Sequence, residues 1–117
     1  MQMLFPINLM KVQTCPDLKN VLSTFQALSD PLRLRVVELL LGCQELCVCE
    51  IREQLDVSPS KLSFHLKILK QANLLSSHQE GHWIYYSLNV SQFIVLQQYL
   101  DQYQSFSCIV LPKKCED

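Results

Sequence analysis

Two short helical patterns joined by a brief break constrain this chain more than anything else in it. Residues 50–55 make two amphipathic turns, Asp56-Val57-Ser58-Pro59 reads as a tight turn with an N-cap, and residues 60–73 resume as a second helix. Within that helix Leu62, Leu66 and Leu69 recur at i, i+4 and i+7, which makes one stripe toward a core. At roughly 100° per residue, Ser60, Phe64, Lys67 and Gln71 point the opposite way, with Lys61 and Ser63 beside them. That outward face is shaped to enter a major groove, where a phenylalanine can meet a thymine methyl or pack on sugar.

The residues after the second helix strengthen this reading. Residues 74–79 and 82–88 are strand-like, the latter rich in Trp83, Ile84, Tyr85 and Tyr86, with Gly81 placed for the turn between them. A hairpin directly after a recognition helix is a wing. Its tip, with Gly81 and His82, can lie along the adjacent backbone or minor groove. The expected architecture is therefore mainly α with a small β-hairpin, a winged helix-turn-helix.

The flanking helices supply the core. From Asp17 the apolar residues Leu18, Val21, Leu22, Phe25 and Leu28 follow helical spacing, and Ser29-Asp30-Pro31 closes that helix and opens the next with Asp30 as N-cap. Residues 32–41 leave little polar face, which predicts a central core helix ended by Gly42. Residues 91–106 carry Phe93, Leu96, Leu100 and Tyr103 on one stripe, more apolar surface than one small core needs. Part of that stripe is expected to pair with a second copy in a homodimer. The implied organisation is an N-terminal arm over residues 1–16, a DNA-binding and dimerisation domain over 17–106, and a tail over 107–117.

The 117 residues, at 13.6 kDa, suffice for one small domain that a partner subunit would help stabilise. A net charge of −1 looks wrong for a nucleic-acid binder until it is mapped along the chain. Residues 57–79 hold no Asp or Glu but carry Lys61, Lys67 and Lys70 with His65 and His78, whereas the remainder has 7 Lys+Arg against 11 Asp+Glu. Phosphate contacts need only a local positive face. His65 is expected there as a polar or phosphate-contacting residue, and Ser58 at the helix start. No apolar run approaches the roughly 18 residues of a membrane span, and the chain reads as a cytoplasmic protein.

Six cysteines, Cys15, Cys43, Cys47, Cys49, Cys108 and Cys115, accompany no mark of secretion, so they read as reduced thiols. Cys47 and Cys49 sit one residue apart at the start of the first helix of the pair. Thiolates are soft donors that select arsenic(III), antimony(III), cadmium, lead, zinc or copper(I) over hard cations. Residues two apart in an ideal helix point about 200° from each other, so joint ligation by the pair requires a non-helical first turn. A small thiol enzyme is disfavoured, because no histidine stands beside the cysteines in sequence as a base.

Four segments carry a resemblance: Leu28-Ser29-Asp30-Pro31-Leu32-Arg33, Glu45-Leu46-Cys47-Val48-Cys49-Glu50, Ser58-Pro59-Ser60-Lys61-Leu62-Ser63-Phe64-His65-Leu66 and Glu80-Gly81-His82-Trp83-Ile84-Tyr85-Tyr86. Together they resemble the ArsR/SmtB family of metal-responsive winged-helix repressors, over roughly residues 17–105. The resemblance implies a homodimer that binds a palindromic operator and leaves it when a metal or metalloid binds. On matching positions it makes Cys47 and Cys49 the sensor thiolates, puts Ser60, Lys61, Ser63, Phe64 and His65 on the recognition helix, and makes the hairpin around Gly81 the wing.

Departures from the family pattern narrow the inducer. The arsenite-sensing branch with all ligands on one helix has a third cysteine three residues after the second, and here that place is Arg52. The zinc branch uses His and acidic ligands on the last helix, yet residues 91–106 offer only Asp101. The cadmium and lead branch adds cysteines from the N-terminal arm, and this arm has Cys15. Three thiolates suit arsenite or antimonite, and four would suit cadmium. The third ligand is open among Cys15, Cys43, Cys108 and Cys115, with Cys15 preferred. The alternatives are a cadmium/lead-type sensor and a thiol redox switch on the same DNA-binding scaffold.

Overall fold

The computed structural model describes residues 17–109, with side chains to residue 104. Among them the order is α1 (Leu18–Leu28), α2 (Pro31–Gly42), β1 (Leu46–Cys47), α3 (Val48–Leu55), α4 (Pro59–Gln71), β2 (Leu75–Glu80), β3 (Trp83–Leu88) and α5 (Val90–Ile109). This is the mainly helical winged helix-turn-helix that the sequence predicts. The arm over residues 1–16, with Cys15, and Cys115 in the tail lie outside the described residues. Helix α5 runs on to Ile109, so the tail boundary expected after residue 106 falls inside a helix that contains Cys108.

Local chemistry sets the boundaries. Asp30 caps α2 by accepting from the N–H groups of Leu32 and Arg33 at 2.9 and 3.1 Å, with Pro31 in the first turn. Gly42 does not end α2 as a left-handed cap; it is the last helical residue, and the chain turns extended at Cys43. Asp56, at φ 54°, makes the left-handed turn out of α3, and its N–H donates to Arg52 O at 2.8 Å. Ser58 then caps α4, its hydroxyl accepting from Lys61 N at 3.2 Å.

The sheet has three antiparallel strands in the order β1-β3-β2. The hairpin β2–β3 is the expected wing, and Gly81 adopts φ +62° in its turn. Strand β1 is an addition to the expected hairpin: two residues are too few for any periodicity to show.

The core is built on Val36, Ile51, Leu62, Leu69 and Leu74, all fully buried, with Leu40, Leu55 and Leu66 around them. The Leu62, Leu66 and Leu69 stripe faces inward as expected. Helix α2 is central in its contacts, which reach α1, α3, α4 and β3, but it is not buried all round: Val36 and Leu40 are buried, while Leu34 is 43% and Leu41 76% exposed. In α1 the apolar set divides: Val21 is buried, with Thr24 and Ala27, while Leu18, Leu22 and Phe25 face outward.

Helix α5 is fastened to α1 by a buried polar group. The Gln92 amide donates to Thr24 Oγ1 at 3.0 Å and to Asn20 Oδ1 at 3.1 Å, and Thr24 Oγ1 donates to Asn20 O at 3.0 Å. Each of the three side chains has a partner within the group, which fixes the helix pair.

Candidate nucleic-acid interface and thiol pair

The break between α3 and α4 and the inward leucine stripe together turn one face of α4 to solvent. Ser60, Lys61, Ser63 and Lys67 are exposed there, and Phe64 keeps 58% of its surface. A phenylalanine so exposed on a helix with a well-buried opposite face is unspent apolar surface. Lys70, also in the acid-free stretch, turns instead toward the wing and donates to Ser77 Oγ. At the far end of the wing Gly81 and His82 are exposed.

His65 departs from expectation. It is 8% exposed, so it is not the polar surface residue that the sequence suggests. Arg33 NH1 donates to its Nδ1 at 2.8 Å, and Arg33 Nε donates to Ala27 O at 2.7 Å. Burial first, then the Arg33 and Lys61 charges, push the imidazole pKa down, against an opposing pull from Asp30, whose carboxylate lies 3.9 Å away. Asp30 in turn is held below its ordinary value, chiefly by the Arg33 N–H that it caps. Arg33 escapes sequence reasoning as a positioning residue; it lies inside a recognised segment, but its partner is on another helix.

The two thiols stand at the junction of β1 and α3. Cys47 is the N-cap residue of α3 with extended backbone (φ −82°, ψ 162°), and Cys49 is in the first helical turn. The required non-helical start is thus present. Cys47 is buried and Cys49 exposed. Glu50 closes the start by accepting from Cys47 N at 2.9 Å. Cys43 is exposed at the end of α2. Among the described residues no third His, Cys, Asp or Glu joins the pair in a metal-holding group. In a three-thiolate site the pair would supply two donors, and the third would come from outside the described cluster.

Of the residues expected at a dimer seam, Leu100 and Tyr103 are exposed, at 46% and 56%, and Leu96 is half-buried. Phe93 instead packs against this chain's own core, since α5 turns that side toward the hydrophobic cluster. The outward residues of α1 make up the difference: Phe25 meets Tyr99 edge-on at 6.1 Å, which joins the exposed apolar faces of α1 and α5. Among the described residues no helix is long and apolar enough to cross a membrane.

A small sheet attached to a helix-turn-helix, with the second helix bare on one side, is the winged-helix architecture of DNA-binding transcriptional regulators. Comparison with known proteins agrees. The sequence profile of bacterial regulatory proteins of the arsR family matches residues 30–77. The chain is 46% identical over 65 residues to the arsenical resistance operon repressor of Bacillus subtilis (strain 168), covering 56% of this chain and 62% of that protein. It is 35% identical over 82 residues to the cadmium resistance transcriptional regulatory protein CadC of Listeria innocua, covering 70% and 69%. A crystal structure of an ArsR family transcriptional regulator matches with a TM-score of 0.76 over 84% of this chain and 100% of that one, at 19% identity, a likeness of fold alone. The chain belongs to the arsR family of bacterial regulatory proteins.

Proposed function

We propose that this protein is a cytoplasmic, metalloid-responsive repressor. As a homodimer it occupies operator DNA with Ser60, Lys61, Ser63, Phe64 and Lys67 of α4 and with the wing around Gly81 and His82, while Ser58 holds the start of α4 in place. It leaves the operator when arsenite or antimonite binds the thiolates of Cys47, Cys49 and one further cysteine, Cys15 in the preferred assignment. The domain boundaries that go with this are an arm over residues 1–16, a DNA-binding and dimerisation domain from residue 17 through α5, and a short tail.

The observation that carries this reading is the extended N-cap conformation of Cys47, with Cys49 two residues on. It places Cys47 outside the helix, so the opposition of residues two apart within an ideal helix does not apply to the pair. Arsenite binding there condenses the hydroxyls of As(OH)3 with three thiols, forming three As–S bonds and releasing three waters, with no change of oxidation state. The site lies at the start of the helix that leads into the recognition helix, so a ligand there acts on the DNA-reading element. A 100-fold loss of operator affinity needs only about 2.7 kcal/mol of differential binding. The name of the B. subtilis relative supports a metalloid inducer. The name of the Listeria relative favours the second reading, a cadmium sensor with a fourth thiolate.

The test is a fluorescence-anisotropy titration of a labelled duplex, selected by this protein from a random pool, with arsenite and then with cadmium. Cys47→Ser and Cys49→Ser should keep DNA binding and lose arsenite-induced release. Of Cys15→Ser and Cys43→Ser, only the true third ligand should raise the required arsenite by a large factor. Release of DNA from Cys47→Ser and Cys49→Ser at the parent's arsenite concentration would refute the sensor assignment.

A further inference from the structure

One row of side chains crosses all three strands of the sheet. Cys47 of β1 and His78 of β2 both stand opposite Tyr85 of β3, and directly opposed residues share a face. The neighbouring row, with Leu46 and Tyr86, packs against the core. The Cys47–Tyr85–His78 row therefore lies on the opposite face of the sheet, where Cys47 is buried and His78 exposed.

That row is bound together by more than its backbone. The His78 ring stacks on Tyr85 with centroids 5.4 Å apart and planes 17° from parallel. His78 Nε2 donates to Glu45 Oε2 at 2.5 Å, and Glu80 Oε2 lies 3.9 Å from His78 Nδ1. A carboxylate only accepts, so Nε2 is the donor in the Glu45 bond. Strand β1 contributes two residues to the ladder and is not paired with β2. The Glu45–His78 bond is thus a direct link from the thiol-bearing segment to the strand beyond β3.

We infer that Glu45, His78 and Tyr85 clamp the wing to the thiol-bearing strand in the DNA-binding state, and that an inducer on Cys47 frees DNA by loosening this clamp. The inference rests on the reading of Cys47 as a sensor thiol. The three are positioning residues. A ligand shifts an equilibrium only through contacts that differ between the two states, and the clamp is such a contact: Glu45 is two residues from one thiol, while Tyr85 stands opposite it. Loosening it lets the wing, and with it one arm of the DNA grip, move without unfolding the core.

The test is a double-mutant cycle with Glu45→Ala and His78→Ala on the full chain, read first without any metal as anisotropy of the selected duplex. Both side chains are more than two-fifths exposed, so the fold survives their loss. Charge and clamp predict opposite signs for Glu45→Ala. Removing a carboxylate near DNA should tighten binding on charge alone; loss of the clamp should weaken it about two- to fivefold, the range of an exposed ion pair. The clamp further predicts that the double variant is no worse than either single one. In the arsenite arm, Trp83, the sole tryptophan and a wing residue, should change its emission in the parent, not in Cys47→Ser, and less in His78→Ala. Equal or tighter DNA binding by Glu45→Ala overturns the clamp, and if arsenite still releases DNA from the parent the sensor reading stands. Failure of arsenite to release the parent overturns the sensor reading, and the metal-free cycle still decides the clamp.

Discussion

Arg33 NH1 lies 2.8 Å from His65 Nδ1, across the junction of α2 with the recognition helix. A guanidinium has donors only, so Nδ1 accepts and the imidazole proton sits on Nε2. The same Arg33 side chain holds the end of α1 through Ala27 O. One arginine therefore fixes the orientation of the reading helix, on the condition that His65 is neutral.

That condition predicts a pH dependence of stability. The His65 pKa is lowered from 6.5 in the folded protein, by burial first and then by Arg33 and Lys61, with Asp30 opposing. The unfolded chain then binds the proton more readily, so this stabilisation is complete above about pH 6.5 and is lost as pH falls toward the folded-state value. Thermal melts between about pH 7.5 and 5.5 should show a falling Tm, and a shallower fall for His65→Gln, which can still accept from Arg33. Equal slopes would show that His65 is not the responsible group.

Replacing Gln92 tests the fastening of α5 to α1. Gln92→Leu removes the donor from Thr24 Oγ1 and Asn20 Oδ1 in a buried setting. The expected loss is about 1–3 kcal/mol in urea denaturation, with the slope unchanged. A loss below a few tenths of a kcal/mol would mean that water replaces the amide at no cost.

The outward face of α4 makes a graded prediction. Lys67→Ala should weaken DNA binding at every sequence and flatten its salt slope by about one. Ser63→Ala or Phe64→Ala should change sequence preference, and Lys70→Ala should matter less because its ammonium is engaged by Ser77. Unchanged binding by Lys67→Ala, Ser63→Ala and Phe64→Ala together would move the interface elsewhere.

The apolar face shared by α1 and α5 predicts the homodimer seam. A glutamate in place of Leu22 or Leu100 should yield monomers in sedimentation at micromolar concentration. Leu41→Glu should not, although Leu41 is more exposed than either. A dimer that survives both of the first two changes would leave this face without a partner copy.

How much of this is legible in the sequence differs by kind of information. The helix-turn-helix, the Asp30 and Ser58 caps and the Gly81 turn are local chemistry, and each lies within a few residues of its cause. The orientation of His65 is not local: its ring is claimed by an arginine in a different helix, and spacing along α4 alone sets it beside the groove-facing residues. The apolar residues of α1 fit one helical stripe, yet which of them meet this chain's own core depends on where α5 docks. Strand β1 exists only by virtue of β3, and with it the Glu45, His78 and Tyr85 grouping stays hidden from a linear reading. The extended start at Cys47 can be stated from the sequence as a requirement but not as a fact.

The pairing of β1 with β3 also bears on the order in which the molecule is made. The partner of the thiol-bearing strand lies beyond the whole helix-turn-helix in the chain. Such a contact closes a long loop and forms after the local helices. A nascent chain still lacking residues 83–88 has both cysteines but no opposing strand for Cys47. The sensor function proposed for Cys47 would thus be a late acquisition of folding, completed when the hairpin emerges.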